Sequence, residues 1–394
     1  MDRESAAIRT SIARWLGAAI EAVEPARLTA LALASDSPGP HTIIAIGKAA
    51  PAMCRGAAEA LGEIEGICIS ATESDVPPGI DLMVGDHPVP GEASYRAGRR
   101  ALEVATSARG SLIVLVSGGG SSLCEWPRPG VDHAYLSEVN RNLIMSGCPI
   151  QETNLVRGHL SALKCGGLAR AARGEVSTYV LSDVAGANPG IVASGPTLPM
   201  DEDWVKVRDI LERIGMEIPK SVLRAIQSPS RPIEYGRIQV VGDGKTAANA
   251  LVAEATSEGF VAQVASDWLT GELSSAVDRL FDTARRGVTV AAGETSLSVG
   301  EPGRGGRNTH AALLASSHLA GTGAVFAAFA TDGVDGSSGA AGALVDGDTL
   351  DRGGDPTASI EAFDSATYLE STGDLIVMSP TGTNVADLWV LWRP

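Results

Sequence analysis

No stretch of this 394-residue chain approaches the about 20 consecutive apolar residues of a membrane-spanning helix, so no membrane role is expected. No block of Lys and Arg offsets the formal net charge of −16, which argues against general nucleic-acid binding. The five cysteines (Cys54, Cys68, Cys124, Cys148, Cys165) are odd in number, widely spaced and form no CxxC pair. That usage fits reduced thiols better than disulfides or a zinc site. The segment Met1 to Ser5 lacks the basic-then-apolar layout of a secretory signal, so a cytoplasmic protein is expected. A GxxxxGK[ST] phosphate loop is also missing: Gly244-Lys245-Thr246 comes nearest, but Gln239 stands where the first glycine must be. An anionic substrate would then need a local pocket of individual basic residues beside Gly-rich loops.

What is present is an ordinary globular balance, 44% hydrophobic and 20% charged residues, in a chain long enough for two domains. Strand-like runs (His41 to Ile46, Ile67 to Ala71, Ser111 to Val116, Thr178 to Leu181) alternate with helical ones, which predicts an α/β fold with a largely parallel sheet. The Pro-containing segment Ser228 to Glu234 reads as a linker, dividing the chain into domains 1–230 and 231–394. The alternation then resumes from Arg237 to Val241 onward, giving two α/β domains with ligand expected at strand ends in the cleft between them.

The strongest local signal is Ser117-Gly118-Gly119-Gly120-Ser121-Ser122, directly after the apolar run Ser111 to Val116. Consecutive glycines flanked by hydroxyls offer bare N–H groups to phosphate, and three glycines exceed what a tight turn needs. Lys48, at a helix start, could meet a phosphoryl group or simply be solvated. His87, in a turn with two prolines, could bind a substrate oxygen, shuttle a proton or be held by backbone bonds. Asn154 and Arg157 share a helix face at i, i+3 and could grip a carboxylate or form a solvent-facing stripe. Asp183, after a strand, suits Mg²⁺ bridged to phosphates or a helix cap. Gly303 to Asn308, with Arg304 and Arg307 at a helix N-terminus, suits anionic oxygens, and Thr331 to Gly336, carrying Asp332, follows the next strand.

A rival signal is Gly242-Asp243-Gly244-Lys245-Thr246-Ala247, a GxGxxA between strand and helix with Asp267 at about the dinucleotide-fold distance of ~20 residues. It motivates an alternative, an NAD(P)H-dependent hydroxypyruvate reductase. It would leave the glycines near residue 118 unexplained.

Assembled in order, Gly47-Lys48-Ala49, Gly85 to Pro88, Ser117 to Ser121, Asn154 to Ser161, Ser182-Asp183, Ala193 to Thr197, Gly305 to Asn308, Thr331 to Gly333 and Thr381 to Asn384 make the chain resemble, over nearly its whole length, the glycerate 2-kinases with a Rossmann-like N-terminal domain and a C-terminal MOFRL domain. The resemblance implies ATP-dependent, Mg²⁺-assisted phosphorylation of D-glycerate at its 2-hydroxyl. Lys48 and Arg307 fall on the family's important lysine and arginine, in different domains, and their convergence would require the cleft to close. On this reading of the residues, Ser117 to Ser122 are expected to cradle the nucleotide phosphates, His87, Asn154 and Arg157 to meet the substrate, Asp183 to help hold Mg²⁺, and Asp332, Asp183 or His87 to act as base. Departures are Gly158, where the family usually has lysine, and Cys165, which interrupts the usual Lys-Gly-Gly after Lys164. Homo-oligomerisation stays open.

Overall fold

The computed structural model describes residues 3–35, 41–184, 186, 188–199, 203–228, 233, 235–300 and 303–394. Most of the linker reading at 228–234, including Pro229 and Pro232, lies outside the described residues. So do positions 185, 187 and 200.

The chain divides into two compact units that interleave along the sequence. One holds Pro25–Ser182 and Asn188–Val241; the other holds Met1–Glu24, Asp183–Ala187 and Gly242–Pro394. This differs from a single cut at 230/231 in three places: the N-terminal segment, Asp183–Ala187, and the boundary itself, which falls after Val241. The N-terminal helix Arg3–Ala22 packs on helix Gly244–Ser257. Its apolar stripe Ile8, Ile12, Trp15 and Leu16 is buried, Trp15 meets Phe260 edge-on at 5.1 Å, and Trp15 Nε1 donates to Glu258 at 2.9 Å. The strand read as opening the second domain instead joins the first sheet.

That sheet contains β1 (His41–Ile46), β2 (Ile64–Ser70), β3 (Ile80–Val84), β4 (Leu112–Val116), β5 (Val176–Leu181) and β6 (Tyr235–Gly242), in the order β3-β2-β1-β4-β5-β6. The pairs β1/β2, β1/β4, β2/β3 and β4/β5 are parallel. The strand order turns back between β1 and β4, where doubly wound sheets leave a crevice for ligands. All five residues of β4 are buried, as expected of a central parallel strand, and each such aliphatic side chain contributes about 1.5–3 kcal/mol of burial energy. Between β4 and β5 lie three further helices, His133–Met145, Ile150–Leu160 and Gly167–Ala171. The first two share a core with Trp204–Arg213 and Lys220–Gln227 through Leu136, Val139, Val156, Leu160, Ile210 and Val222.

The second sheet contains β7 (Ala262–Val264), β8 (Gly287–Gly293), β9 (Val325–Ala330), β10 (Gly342–Asp346), β11 (Leu375–Ile376) and β12 (Asp387–Arg393), in the order β11-β10-β9-β12-β8-β7. β12 runs antiparallel to both neighbours, so the start of β12 lies beside the ends of β8 and β9. Phe326 and Trp389 pack edge to face at 5.7 Å in the core of this unit. No described helix is long and apolar enough to cross a membrane.

Candidate functional site

β1 ends at Ile46 and β4 at Val116, which are partners in register, so Gly47-Lys48 and Ser117 to Ser122 leave the sheet side by side at the switch point. Lys48 N–H donates to Gly118 O at 2.9 Å, Ser117 N–H to Ile46 O at 2.9 Å, and Ala49 N–H to Ser117 Oγ at 3.1 Å. Ser117 is buried, and its hydroxyl oxygen joins the two loops. Gly47 has φ +129°, and a Cβ there would lie 2.2 Å from Ser117 Oγ, so any other residue would force the loops apart.

Gly119 caps the short helix Gly120–Leu123. Among the described residues, the N–H groups of Gly118, Gly119, Gly120 and Ser121 take no partner beyond the helix itself, which leaves four donors at one turn. A Cβ on Gly120 would sit 2.8 Å from that of Ala193, so the glycine permits the close approach of the 193–195 segment. Ser122 closes the turn, bonding Gly119 O through its N–H at 3.3 Å and its hydroxyl at 3.2 Å.

Lys48 is exposed beside this turn. His87, in the loop after β3, has its proton affinity lowered first by partial desolvation and then by the Lys48 cation, which favours its neutral form. The neighbouring Asp86 is occupied in capping a helix through Ala93 N–H at 2.9 Å and Ser94 N–H at 3.2 Å.

Helix Ile150–Leu160 brings Asn154 and Arg157 to the same turn. Arg157 donates from Nε to Asn140 Oδ1 at 2.8 Å and from Nη1 to Ser121 Oγ at 3.4 Å. Ser121 and Ser194 hydroxyls lie 2.8 Å apart, and Ser194 Oγ donates to Asn154 Oδ1 at 2.8 Å. The amide nitrogen of Asn154 is buried with no partner. Burial lowers the Arg157 pKa while Glu125 acts the other way. Behind this network lies the fully buried ion pair of Lys164 and Glu125.

In the other unit Arg307 begins helix Arg307–Leu319. The helix N-terminus that the sequence offers to an anion is already taken by Asp335: Asn308 N–H and Thr309 N–H donate to its two oxygens at 2.9 and 2.7 Å. Arg307 itself is ion-paired to Glu294, and its Nε lies 3.4 Å from Asp387 Oδ2. Burial disfavours the Arg307 cation, but Asp387 and Glu294 outweigh it and raise its pKa. Asp387, first residue of β12, is paired in register with Gly293 of β8 and Ala330 of β9. Burial pushes its carboxyl up to about 7 against the pull of Arg307. Asp332 accepts a hydrogen bond from Val334 N–H at 3.0 Å within its own turn, and Thr381 N–H holds the Asp332 carbonyl at 3.1 Å.

Asp183 follows β5 and is half-buried. No group of three or more His, Cys, Asp or Glu side chains able to hold a metal occurs among the described residues. Mg²⁺ carried on nucleotide phosphates needs only one or two carboxylates, a demand Asp183 fits.

The rival GxGxxA segment is occupied from within. Asp243 accepts from Thr246 N–H at 2.8 Å and completes a capping box, so its carboxylate takes a donor that a pyrophosphate would use. Sequence reasoning did not single out Asn140, Ser194, Asp335 or Asp387. Ser194 and Asp335 lie inside quoted loops, but their partners are remote in sequence; Asp387 lies in an apolar strand whose only signal is the carboxylate.

The profile of the domain of unknown function DUF4147 matches residues 11–227 and that of the MOFRL family matches residues 287–387. The chain is 34% identical to a protein of Agrobacterium vitis named putative hydroxypyruvate reductase, covering 96% of this chain and 93% of that one. It is 33% identical to the D-glycerate 2-kinase of Thermotoga maritima, with 94% of each chain covered, and 32% identical to the glycerate 2-kinase of Pyrococcus horikoshii, again with 94% of each. The crystal structure of the glycerate kinase from Thermotoga maritima superposes with a TM-score of 0.89 at 31% identity, covering 98% of this chain and all of that one. With its two α/β sheets, its glycine turn beside Lys48 and these relatives spanning nearly its full length, the chain belongs to the glycerate 2-kinase family that carries a MOFRL domain.

Proposed function

We propose that this chain is an ATP-dependent kinase that phosphorylates D-glycerate at the 2-hydroxyl, yielding 2-phosphoglycerate and ADP. The observation that carries the reading is the glycine turn with four available N–H donors lying against Lys48 at the β1/β4 switch point. The names of the Thermotoga and Pyrococcus relatives supply the acceptor.

When bound, ATP supplies the phosphoryl group and Mg²⁺ offsets its negative charge. Phosphoryl transfer asks the protein mainly for positioning and charge neutralisation. Gly118 to Ser121 present backbone donors for phosphate oxygens, with Ser117 and Ser122 holding the turn in shape. Lys48 and Arg307 are assigned to the charge on the transferring group. Asn154 and Arg157 hold the glycerate carboxylate, Arg157 supplying the cation and Asn154 a neutral donor. Asp183 is assigned as an oxygen ligand of Mg²⁺. His87, exposed beside Lys48, contacts substrate. The base for the 2-hydroxyl is assigned to Asp332.

ADP release measured with MgATP and a panel of small 2-hydroxy acids tests the reading. Protein-dependent ADP release with D-glycerate, giving 2-phosphoglycerate, is the expected result. Absence of that product, with nicotinamide oxidation in the presence of hydroxypyruvate, would overturn it.

A further inference from the structure

Three consecutive residues, Ala193, Ser194 and Gly195, have left-handed backbones, with φ of 51°, 60° and 58°. Only the glycine adopts such a conformation without steric cost, and strained non-glycine residues persist where the surroundings hold them. Ser194 is held by two contacts. Its hydroxyl donates to Asn154 Oδ1 and meets Ser121 Oγ, each at 2.8 Å. Because Ser194 has one hydroxyl proton and commits it to Asn154, Ser121 must donate to Ser194, and Ser121 Oγ in turn accepts from Arg157. The result is a one-way chain, Arg157 to Ser121 to Ser194 to Asn154. It ends on an amide whose oxygen is engaged and whose nitrogen, on a side chain only 2% exposed, has no acceptor. A buried donor left without an acceptor is costly. Here the chain keeps that donor turned away from Ser194.

We propose that Ser194 is a positioning residue for the reaction: it fixes the Asn154 amide so that its N–H groups meet an anionic oxygen of the small hydroxy-acid substrate, and holds Ser121 of the glycine turn in the same stroke. The inference rests on the kinase reading above. It places the specificity of that site in the strained 193–195 segment as well as in helix Ile150–Leu160.

The experiment uses the full chain with Ser194→Gly, Asn154→Ala and the double variant, measuring ADP release, separate KM values for D-glycerate and ATP, and melting temperature. Glycine relieves the left-handed strain while deleting the hydroxyl, so Ser194→Gly is expected to melt within about 3 °C of wild type. Its KM for glycerate should rise about tenfold or more, with the KM for ATP changed far less. The glycerate KM of the double variant should be no higher than that of Asn154→Ala alone, because Ser194 acts on glycerate only through the Asn154 amide. A Ser194→Gly enzyme with wild-type glycerate KM, or additive losses in the double variant, would overturn the proposal while leaving the kinase reading intact. A wild-type protein without glycerate-dependent ADP release would overturn that reading, and the proposal with it.

Discussion

Arg307 Nε lies 3.4 Å from Asp387 Oδ2, and that carboxylate oxygen is buried without a hydrogen bond. Burial, opposed by the guanidinium, lifts the Asp387 carboxyl from 3.8 to about 7. The folded state therefore binds this proton more tightly than the unfolded chain. Its stabilising contribution is complete below about pH 4 and is lost as pH rises through about 7. Asp387→Asn should flatten the fall in melting temperature over that window. It should also remove an inflection near pH 7 from the kcat/KM profile, because the charge beside Arg307 no longer titrates. An unchanged profile and melting curve would detach Asp387 from Arg307.

Lys48→Ala and Arg307→Ala are each expected to lower kcat by roughly a hundredfold or more, the scale of losing one charge contact in the transition state. Lys48 is exposed and the Arg307 side chain is 37% exposed, so circular dichroism should show both variants folded. Turnover close to wild type in both would remove the assignment.

For Asp183→Asn the expected outcome is a Mg²⁺ half-saturation raised about tenfold, with turnover partly recovered at high Mg²⁺. Titration of ADP release against Mg²⁺ checks it. A curve superimposable on wild type would take Asp183 out of the metal site.

Lys164→Met should lower stability by about 3–5 kcal/mol, because Glu125 then loses its cation partner in a buried position. Burial lowers the Lys164 pKa and the Glu125 charge opposes it, so the pair depends on mutual contact. Adding Glu125→Gln should recover much of the loss. Denaturant midpoints of the single and double variants report this coupling directly.

Much of the first sheet was legible because its signals are local. An apolar run ending in glycines marks β4 and its turn, and Asn154 and Arg157 share a helix face by spacing alone. The i, i+3 pair meets the glycine turn through Ser121 and Ser194, residues 73 positions apart, which periodicity cannot reveal. At Gly303 to Asn308 the composition resembled an open anion site. Asp335, from the loop after β9, fills the helix N-terminus, because an internal carboxylate satisfies the same donors as an external anion. Strand β10 is not legible in the sequence, as its Gly342-Ala343-Leu344-Val345-Asp346 is short and lacks alternation.

By itself the sequence determined the α/β class, the glycine turn after β4 and the basic residues beside Gly-rich loops, since each depends on neighbours within a few positions. Only the tertiary structure decided that Arg3–Ala22 belongs with the C-terminal sheet, that β6 completes the first, and that antiparallel β12 carries Asp387 to the ends of β8 and β9. Asn308 and Asp387 meet at 2.9 Å across 79 residues of chain, a contact set by strand order and burial rather than by local propensity.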